Sequence, residues 1–259
     1  MTAAIEVRHL KVAYEDNIII PDMSVQFPKG QVSIIIGANG CGKSTLLKAV
    51  GRILAPKSGE ILINGRDLKN RPTREIAREV AVLPQTPRSP DGITVRELIG
   101  YGRFPHQKAI GGMSKHDLEM VDWAIAETGL EPFANRPVNN LSGGQRQRAW
   151  IAMTLAQETE IILLDEPTTY LDIAFQLDIL QLLQKLNRER HYTIVMVLHE
   201  LNEACRFADN IIGLKQGQLV CFGCPADVID EAALNRIYGI SATVQMSSGG
   251  YPICLEFRR

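Results

Sequence analysis

The chain of 259 residues has no apolar run long enough to cross a membrane. A membrane-spanning helix needs roughly 18 consecutive apolar residues, whereas the longest apolar runs here, such as residues 193–198, have the length of a strand. The first residues also lack the basic-then-apolar order of a secretory signal. We therefore expect a cytoplasmic chain that reaches the cytoplasmic face of a membrane only through a partner.

A surplus of positive charge is also missing. The 28 basic and 29 acidic residues leave a formal net charge of -1, and binding to nucleic acid or to an anionic membrane usually requires a basic surplus. We therefore expect no nucleic-acid partner. The hydrophobic content of 45% and the charged content of 22% are those of an ordinary globular protein.

Cysteines are few and scattered, which argues against a disulfide framework. There are five, an odd number. Cys221 and Cys224 have the CxxC spacing that metal or redox chemistry can use, but no second such pair and no histidine pair accompanies them. We therefore expect them to be small buried hydrophobic residues, and the sequence indicates no function for them.

The first 85 residues predict strands around one helix. Residues 6–14 alternate between apolar and polar, as a half-buried strand does. Residues 60–67 contain the Asn64-Gly65 pair of a type I′ hairpin, which indicates antiparallel sheet. Residues 31–36 are instead continuously apolar, which is typical of a parallel strand covered on both faces.

The pattern changes between residues 87 and 157, where strand signals vanish. The sequence there predicts helices over 94–102, 114–128 and 143–157, separated by loops at 86–92 and 104–113. Further on, the apolar strands 161–164, 193–198 and 211–214 alternate with the helices 173–190 and 200–208. Strands that alternate with helices indicate a parallel sheet.

We therefore predict one α/β domain over residues 1–240, with a parallel or mixed sheet and an antiparallel N-terminal part. Its core comprises residues 1–86 and 158–240, and a helical subdomain of residues 87–157 interrupts it. Residues 241–259 form a short C-terminal appendage to which the sequence assigns no function.

A glycine-rich loop over residues 37–45 has the form GxxxxGK[ST]. Glycines let backbone N–H groups converge on phosphate oxygens, the following helix start adds a positive dipole end, and the lysine reaches the β- and γ-phosphates. The context fits, because strand 31–36 precedes the loop and a predicted helix over 43–54 follows it. The bare pattern also arises by chance, so its companions decide the interpretation. The predicted phosphate-binding residues are Gly37, Ala38, Asn39, Gly40, Cys41, Gly42, Lys43, Ser44 and Thr45.

Two acids, Asp165 and Glu166, end the apolar strand 161–164. In P-loop NTPases an aspartate at this place holds Mg²⁺ together with the loop hydroxyl, which here is Ser44. Two carboxylates at the end of a buried strand are costly unless a cation or hydrogen bonds compensate them. An ordinary helix-capping pair is the alternative.

Residues 141–145 read Leu-Ser-Gly-Gly-Gln and open a predicted helix, with Ser142 as its natural N-cap. An efficient helix start is the simplest explanation of this segment alone. Together with the phosphate loop before it and the acid pair after it, however, the segment resembles the ATP-binding cassette (ABC) ATPases. The resemblance extends from about residue 5 to about residue 240.

The resemblance implies an ATPase that uses ATP and Mg²⁺. Glu166 would activate water, and Lys43 and His199 would contact the γ-phosphate, although a histidine behind an apolar strand can also be purely structural. Ser44, Asp165 and Gln85 would hold Mg²⁺, with Gln85 also sensing the γ-phosphate, and Tyr14 would stack on adenine. A second subunit, arranged head to tail, would present its nucleotide to a segment that consists of Ser142, Gly143, Gly144 and Gln145. Asp172 would lie in the loop through which the two subunits sense each other.

Two positions depart from the family pattern. Glu200 follows the switch histidine where most comparable importers have aspartate, and Ala38 stands where many relatives have proline. The carboxylate is kept one methylene longer and the loop glycines are intact, so we expect little change from either.

Residues 92–106, 168–174 and 197–206 resemble most the ATPases of ferric-siderophore importers, with haem and cobalamin importers as near neighbours. This resemblance implies three partners: a second ATPase subunit, for which we predict an identical copy without excluding a different one, a polytopic membrane permease and a substrate-binding protein. A soluble ABC ATPase of iron–sulfur cluster assembly is the alternative, and residues 141–145 argue against a P-loop kinase. The sequence does not identify the chelate, the permease or the second subunit.

Overall fold

The computed structural model describes residues 2–108 and 111–258. Ala109 and Ile110 in the predicted loop 104–113, Arg259 in the predicted appendage, and Met1 lie outside the described residues. The strands are β1 Ala3–Tyr14, β2 Asn17–Pro28, β3 Val32–Gly37, β4 Ser58–Ile63, β5 Arg66–Asp67, β6 Val80–Leu83, β7 Ile161–Asp165, β8 Thr193–Val197, β9 Asn210–Lys215, β10 Gln218–Gly223, β11 Ser241–Met246 and β12 Pro252–Arg258.

The α-helices are α1 Lys43–Val50, α2 Thr73–Ile76, α3 Val95–Gly100, α4 Lys115–Glu127, α5 Gly143–Ala156, α6 Ile173–Arg190, α7 Leu201–Phe207, α8 Pro225–Val228 and α9 Glu231–Tyr238. Short 3-10 helices lie at Tyr101–Arg103, Glu131–Phe133 and Val138–Asn140. Within residues 2–108 and 111–258, no helix has both the length and the apolar character that a bilayer crossing needs.

A six-stranded sheet in the order β10-β9-β3-β8-β7-β6 is the centre of the fold. All its neighbours pair in parallel except β10, which returns antiparallel to β9. Every residue of β3 is buried, because the sheet is covered on both faces. Ile34 and Ile36 pack with the helices of one face, and Ile35 packs on the other. The predicted α/β fold with a mainly parallel sheet is confirmed.

An antiparallel sheet in the order β2-β1-β4-β5 lies over the Ile35 face. Its hairpin between β4 and β5 turns at Asn64 and Gly65, whose φ angles of 49° and 75° are both in the left-handed region. Such a turn needs two left-handed residues, which the Asn-Gly pair tolerates. The antiparallel N-terminal part predicted from this pair is therefore present.

Helix α1 is shorter than the predicted 43–54. It ends at Val50, and the N–H of Gly51 donates to the carbonyl of Leu47. Arg52 then adopts a left-handed φ of 57°, which an α-helix cannot continue through. The prediction was wrong by one turn because apolar residues beyond Gly51 continue a helical pattern that the backbone does not follow.

Between β6 and β7 the chain builds a helical layer from α3, α4 and α5. Arg103, only 1% exposed, joins these elements from the inside. Its guanidinium donates to Asp117 on α4 at 2.8 Å and to the carbonyl of Ala156 at the end of α5 at 2.7 Å. A buried arginine of this kind needs its full set of acceptors, since an uncompensated buried charge is strongly destabilising.

The C-terminal strands β11 and β12 form a separate hairpin. Asn202 on α7 fixes it, because the side-chain amide donates to the carbonyl of Cys254 at 3.2 Å and accepts from the N–H of Cys254 at 2.8 Å. Two hydrogen bonds from one amide imitate a strand pairing. The hairpin is thus tied to the helix that begins just after His199.

Arg103 pairs with two carboxylates, the buried Asp117 and the more exposed Glu158. We expect Asp117→Asn to destabilise the protein by on the order of 3 kcal/mol, because it removes the buried partner of a buried charge. Asp122→Asn, on the same helix but in an exposed pair with Arg96, should cost less than about 1 kcal/mol. Denaturant unfolding of both variants checks this. Equal losses in the two variants would contradict it.

Asp117 should also contribute to acid sensitivity. Burial alone would raise its pKa, but hydrogen bonds from Ser114 and Arg103 outweigh burial and hold the pKa at about 2, below the ordinary 3.8. A carboxyl group whose pKa is lower in the folded chain than in the unfolded chain stabilises the fold at any pH above the unfolded pKa. This stabilisation is lost as the pH falls towards the folded pKa of about 2. The unaltered chain should therefore lose about 2 kcal/mol more than Asp117→Asn between pH 5 and pH 2, measured by denaturant unfolding at each pH.

Candidate functional site

One edge of the central sheet gathers the predicted site. Because β3, β8, β7 and β6 are parallel neighbours, their carboxyl ends meet at the same edge, which is where ligands bind in open α/β sheets. A cavity of about 540 Å³ opens there. Its lining residues are Ile19, Asn39, Gly40, Gly42, Lys43, Ser44, Thr45, Gln85, Glu166, Thr169, Tyr170 and His199.

The loop over residues 37–45 joins β3 to α1 and forms the floor of the cavity. Gly37, Gly40 and Gly42 have φ angles of 147°, 76° and 107°, which side-chain-bearing residues rarely adopt. The buried Lys43 folds back, with Nζ donating to the carbonyls of Gly37 at 2.8 Å and Ala38 at 3.1 Å. The loop is therefore a backbone cradle with its cation already held in place.

Ser44 connects this loop to the end of β7. Its hydroxyl donates to Oδ1 of Asp165 at 2.7 Å, and Asp165 is only 3% exposed. Burial raises the pKa of Asp165, and the hydrogen bond from Ser44 partly offsets that effect. The result is a pair of hard oxygen donors, of which Ser44 lines the cavity and Asp165 does not. Burial penalises the charged form of the Asp165 carboxylate, and a cation would stabilise it.

Glu166 lies at the centre of the remaining polar groups. Its Oε2 accepts from Nε2 of Gln85 at 2.5 Å, and its Oε1 lies 2.5 Å from Nε2 of His199. The structure thus brings together residues from the ends of β6, β7 and β8. The backbone of Glu166 has a left-handed φ of 54°, a strained conformation of the kind that persists at functional sites.

Tyr14 ends β1 as predicted and is 43% exposed, but it is not among the residues that line the cavity. Ile19 on β2 lines it instead, and so do Thr169 and Tyr170 after β7. Sequence reasoning missed these three. Ile19 lies in an ordinary apolar run that no sequence signal distinguishes. Thr169 and Tyr170 belong to the segment 169–172, for which the resemblance implied only a role between subunits.

The other predicted site residues lie outside this cavity. Ser142 caps α5, accepting from the N–H of Gln145 at 3.3 Å, while the side chain of Gln145 accepts from the N–H of Ser142 at 3.1 Å. Gly144 packs against the ring of Phe175, where a Cβ would come within 2.8 Å of a ring carbon. Asp172 caps α6. The chain therefore carries two separate groups of predicted site residues.

The CxxC pair differs from expectation. Cys221 is half-buried, but Cys224 is exposed because it precedes Pro225 at the start of the short helix α8. The expectation of two buried hydrophobic residues was wrong for Cys224. Among the residues that the structure describes, no three His, Cys, Asp or Glu side chains gather as metal ligands, here or elsewhere.

Comparison with known proteins agrees with the geometry. The family model for ABC transporters matches residues 20–169. The achromobactin transport ATP-binding protein CbrD of Dickeya dadantii (strain 3937) is 47% identical over 257 residues, which are 99% of this chain and 96% of that protein. The chain belongs to the ABC transporter family.

Two further proteins place this ABC ATPase among its relatives. The iron(3+)-hydroxamate import ATP-binding protein FhuC of Bacillus subtilis (strain 168) is 46% identical over 255 residues, covering 98% of this chain and 95% of that protein. The ATP-binding cassette MJ0796, solved as a dimer in a post-hydrolysis state with ADP and Pi, is 32% identical with a TM-score of 0.74 and covers 85% of this chain and 98% of that chain. The predicted family, fold and ATPase activity are confirmed, whereas the roles of individual site residues stay predictions.

The geometry of the ABC phosphate loop gives a specific expectation. A Cβ on Gly37 would lie 2.3 Å from the carbonyl oxygen of Leu214, in a backbone conformation with φ 147°. Gly37→Ala should therefore distort the loop and weaken binding of a fluorescent ATP analogue by more than about tenfold. Overpacking costs about 1–3 kcal/mol, and a loss of about 1.4 kcal/mol in binding free energy corresponds to tenfold weaker binding.

Gly65→Ala is the matched control, because its φ is 75° but its Cβ would meet nothing within 4 Å. We expect it to lower stability by about 1–2 kcal/mol and to leave nucleotide affinity unchanged. If Gly37→Ala bound the analogue as tightly as the unaltered chain, the loop would not be the phosphate cradle.

Proposed function

We propose that this chain is the ATP-hydrolysing subunit of an importer that carries ferric siderophores through a partner membrane permease. The observation that carries the proposal is the cavity where the phosphate loop, Glu166, Gln85 and His199 converge. The cargo is supported by the printed names of the relatives, one for achromobactin transport and one for iron(3+)-hydroxamate import. Full-length identity of 46–47% makes a related cargo class the most economical reading.

ATP would lie with its phosphates on the loop of residues 37–45. Lys43 would release the carbonyls that it now contacts and turn to the β- and γ-phosphates. Tyr14 would stack on adenine. Tyr14 does not line the cavity, whereas Ile19 on β2, the strand that follows, gives the cavity an apolar wall.

The donor set fits Mg²⁺, which prefers few protein oxygens and completes its shell with phosphates and water. Ser44, which lines the cavity, already lies 2.7 Å from Oδ1 of Asp165, and the carbonyl oxygen of the Gln85 amide would complete the protein's contribution. When bound, the ion neutralises charge on the β- and γ-phosphates. The cost of burying an ionised Asp165 is then offset.

Glu166 would accept a proton from the attacking water and orient it towards the γ-phosphorus. His199 contacts Oε1 of Glu166, and Gln85 contacts Oε2. Both side chains could therefore turn from Glu166 to the nucleotide without crossing each other's path. Lys43 and His199 would then stabilise the charge that develops on the phosphoryl group.

A second copy of the chain would complete each site. The start of α5, with Ser142 to Gln145, lies outside the cavity of its own chain, and a helix N-terminus is suited to bind an anion. In a head-to-tail pair it would face the γ-phosphate held by the partner. Asp172 and the strongly exposed Tyr170 and Ile173, 91% and 74% exposed, would lie between the two copies.

The helical layer of residues 87–157 would receive the permease. It follows Gln85 directly, so a permease that contacts this layer can respond to the state of the nucleotide site. This contact would hold the chain at the cytoplasmic face of the membrane, and a substrate-binding protein would deliver the chelate on the other side.

Glu166→Gln tests the catalytic assignment. We expect it to bind ATP normally and to lose roughly 10²–10⁴-fold in turnover, the usual contribution of general-base assistance. Glu160→Gln is the matched control, because Glu160 precedes the same strand at its opposite end and forms an exposed pair with Lys29. Steady-state ATPase assays give both rates, and turnover of Glu166→Gln within twofold of the unaltered chain would refute the assignment.

An uptake assay with radiolabelled ferric siderophores, haem and cobalamin tests the cargo. It compares cells that carry the unaltered chain, Lys43→Ala or the surface control Lys69→Ala. Loss of ferric-siderophore uptake alone in Lys43→Ala is the expected result. Loss of haem or cobalamin uptake instead would show that the chain belongs to a haem or cobalamin importer. Unchanged uptake of all compounds would favour a soluble partner, as in iron–sulfur cluster assembly.

A further inference from the structure

The carboxylate of Glu166 is held by three side chains, of which the proposed mechanism uses only two. Besides Gln85 and His199, the hydroxyl of Thr169 donates to Oε2 of Glu166 at 3.1 Å. The Glu166 side chain is only 9% exposed, so these donors, rather than bulk water, determine where its two oxygens point.

The three donors differ in how they are attached. Gln85 follows β6 and His199 follows β8, so each can move independently of Glu166. Thr169 lies three residues after Glu166, and its N–H donates to the carbonyl of Glu166 at 3.3 Å, which closes a tight turn. Thr169 therefore moves together with the carboxylate that it contacts.

This difference has a consequence once nucleotide binds. Under the proposed function, Gln85 turns to Mg²⁺ and His199 turns to the γ-phosphate. Both withdraw their hydrogen bonds from Glu166, just when its orientation towards water matters. Of the three donors, the hydroxyl of Thr169 is the one left on the carboxylate.

We infer that Thr169 is a positioning residue for hydrolysis, whose hydroxyl holds Oε2 of Glu166 so that Oε1 faces the attacking water. The inference rests on the proposed function, since it acts through Glu166 as the group that activates water. Thr169 does not touch the reacting atoms. The backbone hydrogen bond closes the 166–169 turn without the hydroxyl, so the turn does not itself require threonine.

Thr169→Val removes the donor and keeps the shape of the side chain, and Thr169→Ser keeps the donor. We expect kcat for ATP hydrolysis to fall roughly tenfold in Thr169→Val, the factor for losing one hydrogen bond to a charged group. KM for ATP should stay within about twofold, because the phosphate loop is untouched. Thr169→Ser should restore kcat to within about threefold of the unaltered chain.

Thr128→Val is the matched control, since it removes a buried threonine hydroxyl that donates to the carbonyl of Ala124 at the end of α4. It should leave kcat unchanged. A second measurement repeats Thr169→Val in the Glu166→Gln background, where it should cause no further loss, because residues that act as one unit are not additive.

The outcomes separate the inference from the proposed function. Normal turnover of Glu166→Gln would refute the catalytic assignment and with it this inference. A large loss in Glu166→Gln with unchanged kcat in Thr169→Val would overturn the inference alone. A full further loss in the double variant, or failure of Thr169→Ser to restore kcat, would also overturn it, because the hydroxyl would then not act through Glu166.

Discussion

The parallel pairing of β3, β8, β7 and β6 is the constraint on which the site depends. Parallel strands end at one edge, and here each ends in a loop with a polar group: the phosphate loop, His199, the Asp165-Glu166 pair and Gln85. The hydrogen bond between Ser44 and Asp165 joins the start of α1 to the end of β7. A shift in register of one strand would separate these groups, although each loop could keep its own conformation.

Burial of two charged side chains, Lys43 and Asp165, determines what the site can bind. Lys43 and Asp165 are only 5% and 3% exposed, and a buried charge is tolerated when hydrogen bonds or an ion of opposite charge compensate it. Lys43 donates to the backbone carbonyls of Gly37 and Ala38, and Asp165 accepts from the hydroxyl of Ser44. Under the proposed function, Lys43 would exchange its carbonyl contacts for phosphate, and Asp165 would share its charge with Mg²⁺.

The distribution of the predicted site residues also has a physical meaning. The cavity gathers one group, while Ser142 to Gln145 and Asp172 form capped helix starts elsewhere on the chain. These helix starts do not line the nucleotide cavity of their own chain, and under the proposed function they would serve the cavity of a second copy. The proposed head-to-tail pair follows from this separation, and it explains why Tyr170 and Ile173 remain exposed.

Much of the fold and of the site could be predicted from the sequence where local chemistry decides the structure. The continuous apolar run of β3, the Asn64-Gly65 turn and the capping serine at 142 each have a local cause. The end of α1 at Val50 and the exposure of Cys224 before Pro225 are local features that a pattern of apolar residues does not indicate. The hairpin docked on Asn202 depends instead on a contact between distant parts of the chain. The contact of Thr169 with Glu166 likewise required the folded loop.

Under the proposed function one chain holds only half of each ATP site, so the association state of Glu166→Gln is the decisive measurement. Sedimentation velocity should show a monomer without nucleotide and a dimer at saturating Mg-ATP, and adding Ser142→Arg should abolish the dimer. If Glu166→Gln bound ATP fully and yet remained monomeric, the paired ATP site would be refuted.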